Sequence, residues 1–206
     1  MKSLKKPQPQ KERKHQAIID AAINVFLQTG FASASMDEIA RQASVSKRTV
    51  YDHFDNKEKL FQTILVEHWN SVFEMNQPIF NSSKDIAESL TNFAKKFMSF
   101  LYQPNTISLF RLLIGESGRF PHLLDSLVVN EKAPFTRELI LFLENQQESG
   151  KFKAKDTEVA AAFFMGMLKE PHFWPMMLGF TKLKQPKNQN QFIKEAVEIF
   201  INRYSL

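Results

Sequence analysis

The stretch SMDEIARQASVSKRTVYDHFDNKEKL, residues 35–60, decides the fold. Ser35 stands three residues before Glu38, the spacing of a capping box that opens a helix. Ile39, Ala40 and Ala43 then give that helix one apolar side. Ser44, Val45 and Ser46 form a tight break, with Ser46 placed to cap the next helix. That helix, Lys47 to Phe54, buries Val50 and Phe54 at i and i+4. A longer helix begins near Lys57 and carries Leu60, Phe61, Ile64, Leu65 and His68 towards Pro78. Upstream, a helical period starts at Lys11 and places Ile18, Ala21, Ala22, Val25 and Phe26 on one face. Gly30 is expected to end it in the left-handed conformation, with Phe31 packing back on Phe26 as in a Schellman ending. Three helices with a three-residue turn between the last two make a helix-turn-helix unit.

The rest of the chain repeats the helical period over 84–102, 106–117, 121–149, 156–180 and 188–204. Breaks fall at Pro104, Gly118 to Pro121, Gly150 and Pro186. Strand alternation is absent. The expected fold class is all-α, an N-terminal three-helix helix-turn-helix domain ahead of a larger C-terminal helical domain. The expected organisation is a mobile basic tail over 1–10, the helix-turn-helix domain over 11–60, and the larger helical domain over 61–206.

The chain has 206 residues, enough to bury a core without covalent staples. It contains no cysteine, which excludes disulfides, thiolate zinc sites, iron–sulfur clusters and cysteine nucleophiles. Twenty phenylalanines against 3 tyrosines and 2 tryptophans demand a large apolar interior. Residues 1–60 hold 11 Lys and Arg against 7 Asp and Glu, whereas the remainder holds 16 against 15. The excess positive charge therefore sits on the first third, as expected of a polyanion-binding module ahead of a neutral one. Lys2, Lys5 and Lys6 are followed by polar residues from Pro7 to Lys14, so no secretory signal is formed. The longest apolar run, Val159 to Leu168, is too short to span a bilayer. A soluble, cytoplasmic protein without membrane contact is expected.

On the helix from Lys47 to Phe54, burying Val50 and Phe54 turns Arg48 and Asp52 directly outward, with Thr49 and Tyr51 on the flanks. Lys47 and His53 reach the edges of that face. Such a short helix presents donors for phosphates and base edges in a major groove. Lys57 follows at a helix start, where free backbone N–H groups also favour phosphate. Asp52 either accepts from a cytosine amino group or repels phosphate.

Ile18-Ile19-Asp20-Ala21-Ala22 through Phe26, Gly30-Phe31, Met36-Asp37-Glu38-Ile39-Ala40, Val45-Ser46-Lys47, and Tyr51, His53, Phe54, Lys57 and Leu60 together resemble the DNA-binding domain of TetR/AcrR-type regulators. The resemblance covers about 18–61 almost without a gap, with Ser44 standing where the family usually has Gly. It implies a dimer whose two recognition helices enter successive major grooves of double-stranded DNA. By family position it implies Ser35, Lys47, Arg48, Thr49, Tyr51, His53 and Lys57 as DNA contacts. Phe110-Arg111-Leu112-Leu113-Ile114, Glu116, and Arg119-Phe120-Pro121 resemble the effector domain of the AefR-like branch, which implies dimerisation and a small ligand.

The residues carry their own signs of both roles. On the last helix, Phe192, Ile193, Ala196, Val197, Ile199, Phe200, Ile201 and Tyr204 spread over more than half the circumference, wider than one core requires. Val159 to Leu168 is apolar all round. A self-complementary two-fold contact between these helices accounts for both, with Phe164, Phe192, Ala196, Ile199 and Phe200 at the interface. A monomer with a buried central helix accounts for the first run but poorly for the last helix. Phe93, Phe97, Phe110, Phe120, Phe163, Met167, Trp174 and Met177 are candidates to line a pocket for an apolar effector. The bland reading of the same residues is ordinary core. Gly166 and Pro171 to Pro175 are expected to interrupt the helix beside them.

His15, His53, His68, His122 and His172 lack metal-ligand spacing, and no hydrolase or phosphate-loop motif occurs. No catalytic residue, metal or cofactor is expected. The sequence points to a transcriptional repressor that is released from a palindromic operator by a small ligand. Two alternatives stay open: a helical ligand carrier or enzyme whose basic N-terminal helices are incidental, and a DNA-binding architectural protein without an effector.

Overall fold

The computed structural model describes residues 10–74, 80, 85–124, 134–180 and 187–204. Within them lie nine α-helices and no strand. They are α1 (Gln10–Ser33), α2 (Met36–Gln42), α3 (Lys47–His53), α4 (Lys57–Glu74), α5 (Ile86–Leu101), α6 (Pro104–Ser117), α7 (Pro134–Glu148), α8 (Thr157–Met177) and α9 (Gln189–Tyr204), with a 3₁₀ turn at Pro121–Leu124. The basic tail, apart from Gln10, the end of the fourth helix near Pro78 and the break at Pro186 lie outside the described residues. Of the helix expected over 121–149, the structure forms the 3₁₀ turn and α7.

The chain divides into two compact units, 1–67 with 112–126, and 68–111 with 127–206. Residues 61–67 and 112–126 thus join the first unit, beyond the boundary expected after residue 60. In the first unit the expected apolar stripe of α1 is buried, Ile18, Ala22, Val25 and Phe26 with it, as are Ile39 of α2, Val50 of α3 and Leu60 and Phe61 of α4, and the Phe26 ring stands edge-on to Phe61 at 5.4 Å. Phe31 completes this core, its ring 5.6 Å from Phe26, 5.3 Å from Phe61 and 5.1 Å from Phe120. Gly30 has φ 78° and ψ 163°. Positive φ agrees with the sequence expectation, but this ψ belongs to a region essentially confined to glycine rather than to the left-handed helix. The Phe26–Phe31 contact therefore forms around a kink within the span of α1, without a Schellman ending.

In the second unit α9 packs on α5 and α8, and α8 also packs on α5 and α7. Phenylalanines fill the centre. Phe93 lies near Phe97, Phe135 and Phe164, and Phe164 is 4.8 Å from Phe200. α8 opens on Asp156, whose carboxylate accepts from the amides of Glu158 and Val159. It runs unbroken past Gly166, Pro171 and Pro175. The expected interruption is absent, and Arg111 closes the far end by donating to the carbonyls of Met176 and Met177.

Candidate nucleic-acid interface

Helices α2 and α3 are held by local chemistry. Ser35 Oγ accepts from the Glu38 amide at 3.2 Å, the first half of the capping box. The second half is not made, because the Glu38 carboxylate turns to Arg41 and Gln42. Those hydrogen bonds, Arg41 first, hold its pKa down to about 2. α2 ends with the Val45 amide donating to the Ala40 carbonyl and the Ser44 amide to that of Arg41. This is a Schellman ending, and its left-handed residue is Ser44, at φ 54°. Ser46 then caps α3, accepting from the Thr49 amide at 3.1 Å and sharing a 2.8 Å hydrogen bond with the Thr49 hydroxyl.

Val50 and Phe54 are buried, which presents the opposite side of α3 to solvent. Lys47, Arg48, Tyr51 and Asp52 are exposed there, with Thr49 and His53 half-buried at the flanks. The Lys47 ammonium pairs with Asp37 at 2.7 Å and lies 6.0 Å from the Tyr51 ring. Asp37 raises the pKa of that ammonium, chiefly by hydrogen bonding. Arg48 has no partner among the described residues, so its guanidinium is available without breaking a bond. Burial pushes the His53 pKa below the ordinary histidine value, and the positive charge of His15 and Lys11 adds to the effect.

Lys57 is engaged with backbone. Its Nζ donates to the carbonyls of Phe31 at 2.7 Å, Ala34 at 3.0 Å and Ala32 at 3.1 Å. An ammonium has three donors, and all three are spent on backbone. Lys57 thus serves as an internal cap for the end of α1. Ser35 is likewise occupied as a cap. The sequence reading missed the partners Asp37, His15 and Glu116, because each meets its contact across a separation that local spacing does not encode.

The pocket candidates stand in different surroundings. Phe93 and Phe97 are core. Phe110 packs on Trp69 and Phe173, while Phe120 belongs to the other compact unit, against Phe31. Phe163 (60% exposed) and Trp174 (41% exposed) face outward, and Met177 is half-buried. Met167 lines an open groove of about 410 Å³ with Gly166, Glu170, Pro171, Phe192, Glu195, Ala196 and Ile199. Three interface candidates, Phe192, Ala196 and Ile199, thus share this groove. The other two, Phe164 and Phe200, are corrected: they are buried in their own unit, filling the space between α8 and α9. Among the described residues no three His, Asp or Glu side chains group as metal ligands, and no helix is long and apolar enough to cross a membrane.

Residues 18–64 match the family described as bacterial regulatory proteins, tetR family, and residues 88–206 match the C-terminal domain of the AefR-like transcriptional repressors. The chain is 25% identical over 190 residues to the HTH-type transcriptional regulator SrpR of Pseudomonas putida, covering 92% of this chain and 84% of that protein. It is 33% identical over 93 residues to the transcriptional activator FasR of Mycolicibacterium smegmatis, covering 45% and 42%. Among solved structures, the flavonoid-responsive regulator FrrA superposes with a TM-score of 0.80 at 28% identity, covering 94% of this chain and 98% of that one.

Proposed function

The chain belongs to the TetR family of bacterial transcriptional regulators, and from that premise we propose that it is a repressor, binding a near-palindromic operator as a homodimer and released by a small apolar ligand. The observation that carries the DNA-binding part is the solvent side of α3. There Lys47, Arg48, Thr49 and Tyr51 stand together on a helix anchored from behind by Val50 and Phe54. Arg48 is free to form paired hydrogen bonds with a guanine edge, and Lys47 and Tyr51 to meet phosphates. The repressor sense follows the AefR-like description of residues 88–206.

Dimerisation is supported by the outer faces of α8 and α9. Val159, Phe163 and Trp174 on α8 and Ile199 on α9 leave large apolar side chains in water beside the groove. Contiguous exposed apolar surface marks an interaction site, and a second copy supplies a self-complementary partner. The effector is a small apolar molecule, in keeping with the phenylalanine-rich interior of the second unit and with a relative named as flavonoid-responsive. A cytoplasmic location fits such a regulator.

Selection of bound sequences from random duplex DNA by the full-length chain tests the reading. The expected product is a two-fold sequence with half-sites one helical turn, ~34–36 Å, or a multiple apart. Occupancy by one dimer or two is read from the mass of the complex. Failure to enrich any sequence over competitor DNA overturns the regulator reading in favour of a carrier with incidental basic helices. An operator that no apolar compound dislodges, among those that quench Trp174, removes the ligand switch and leaves an architectural protein or constitutive repressor.

A further inference from the structure

Segment 30–34, between the body of α1 and the cap of α2, satisfies its backbone through side chains from two other helices. The kink at Gly30 takes the following peptides out of the helical ladder. The amides of Phe31 and Ala32 both point at one carboxylate oxygen, Glu116 Oε1, at 3.0 and 3.4 Å. Successive N–H groups converging in this way form an anion-binding concavity. The carbonyls of Phe31, Ala32 and Ala34 converge on the ammonium of Lys57. A Cβ built on Gly30 would lie 3.2 Å from Glu116 Oε1, so the carboxylate packs closely against the bare glycine. Beneath the segment the Phe31 ring is held by Phe26, Phe61 and Phe120, with the Lys57 ammonium 4.7 Å from its centroid.

Segment 30–34 is thus gripped by an anion on its donors and a cation on its acceptors. Charge-assisted hydrogen bonds are the stronger kind and hold direction as well as distance. The next residue, Ser35, starts α2, and α2 packs on α3. Whatever fixes this segment fixes the angle at which the outward side of α3 is presented. Glu116 lies in the last turn of α6, within the stretch that matches the AefR-like C-terminal domain, yet it packs in the compact unit of the reading head.

We infer that Glu116 is a positioning residue for operator recognition, which orients α2 and α3 by holding the Phe31 and Ala32 amides against the pull of Lys57. The inference rests on the DNA-binding reading of α3. Loss of the carboxylate leaves two amides unpaired and the Lys57 clamp unopposed, so α3 is presented over a range of angles instead of one.

The test uses the full-length chain and the operator selected by the wild type. Glu116→Ala is expected to weaken operator binding about tenfold or more at a temperature where circular dichroism reports a folded chain of unchanged oligomeric mass. Glu116→Gln, which keeps one acceptor and loses the charge, falls between. Gly30→Ala is expected to weaken operator binding in the same direction, since it crowds the carboxylate and strains φ +78°. Two readouts separate positioning from mere stability. Reselection from random DNA with Glu116→Gln should broaden the preferred half-site spacing without changing the bases read. Amide exchange should accelerate at Phe31 and Ala32 before it does in the body of α1. Unchanged affinity and spacing in both Glu116 variants, with a wild type that selects an operator, overturns the inference alone. A wild type that selects nothing overturns the regulator reading and this inference with it.

Discussion

His15 of α1 and Glu67 of α4, 52 residues apart, meet with Nε2 and Oε1 2.7 Å from each other. The His15 ring also lies 5.2 Å from Phe54 and 5.7 Å from His53, at the end of the recognition helix. His53 is thus surrounded by His15, Lys11 and Lys14 on α1, Glu67 behind His15, and Asp52 on its own helix. Burial, then His15 and Lys11, lower its pKa, with Asp52 opposing. A nearby phosphate favours the cation, so operator binding draws a proton onto His53. Operator affinity is expected to rise as pH falls through the ordinary histidine value of ~6.5 towards the lowered value of the free protein. His53→Asn should flatten that slope in fluorescence anisotropy at fixed salt; an unchanged slope would place the proton elsewhere.

Stability should run the opposite way. Burial lowers the pKa of His68, which is hydrogen-bonded to Thr106 Oγ1 at 2.8 Å, and of His172. The unfolded chain then binds protons that the folded chain refuses. The folded state is favoured above the unfolded histidine value of ~6.5, and that advantage is lost as pH falls through the window towards the lowered folded values. Urea midpoints should therefore drop between about pH 7 and 5.5.

His172 Nε2 is buried without a hydrogen-bond partner, with Phe192 edge-on at 4.8 Å. His172→Leu removes an unsatisfied group and should raise stability at pH 7 by about 1 kcal/mol while making the acid slope shallower. A loss of stability instead, measured in urea at the same pH, would mean that the imidazole packs better than its orphaned nitrogen costs.

The Ser44 backbone, at φ 54°, occupies a conformation that costs a non-glycine residue about 1–2 kcal/mol. Ser44→Gly relieves this and gives back part of the gain as unfolded-state entropy, for a net increase near ~0.5 kcal/mol. Ser44→Val, branched at Cβ, should lose more than 1 kcal/mol, about the cost of forcing a stiff side chain into that region. Equal melting of all three proteins would refute the strain.

Ile199 is 61% exposed beside the α8–α9 groove, whereas Phe200, its neighbour, is 2% exposed. Ile199→Asp and Phe163→Asp should each yield folded monomers by light scattering at micromolar concentration. Phe200→Asp should unfold the chain, because it buries an unpaired charge. Dimers that survive both surface substitutions would move the interface to another face.

Arg48→Ala should change the selected bases by ~1–3 kcal/mol at its position while leaving helix content intact. Lys57→Ala is expected to lower the melting temperature as well as DNA affinity, since three carbonyls lose their donor. Lys57→Ala with full stability and a reduced salt slope would return that lysine to the phosphate-contact role.

The reading head was legible in the sequence because its determinants are local. Ser35 and Ser46 cap helices that begin one residue later, Val50 and Phe54 mark the inner face of α3 four residues apart, and Arg48 and Tyr51 follow outward from helical geometry alone. Tertiary structure decided which neighbour each such group meets. Lys57 was free to face a phosphate until the carbonyls of Phe31, Ala32 and Ala34 converged on it. Phe120 read as pocket lining until it packed against Phe31. On α8 and α9 the spacing could not separate Phe164 and Phe200, which fill the interior, from Phe163 and Ile199, which face water. Where a helix is apolar around most of its surface, period carries no direction. The side that is buried is then set by the elements packed against it, whose positions depend on contacts between residues far apart in the chain.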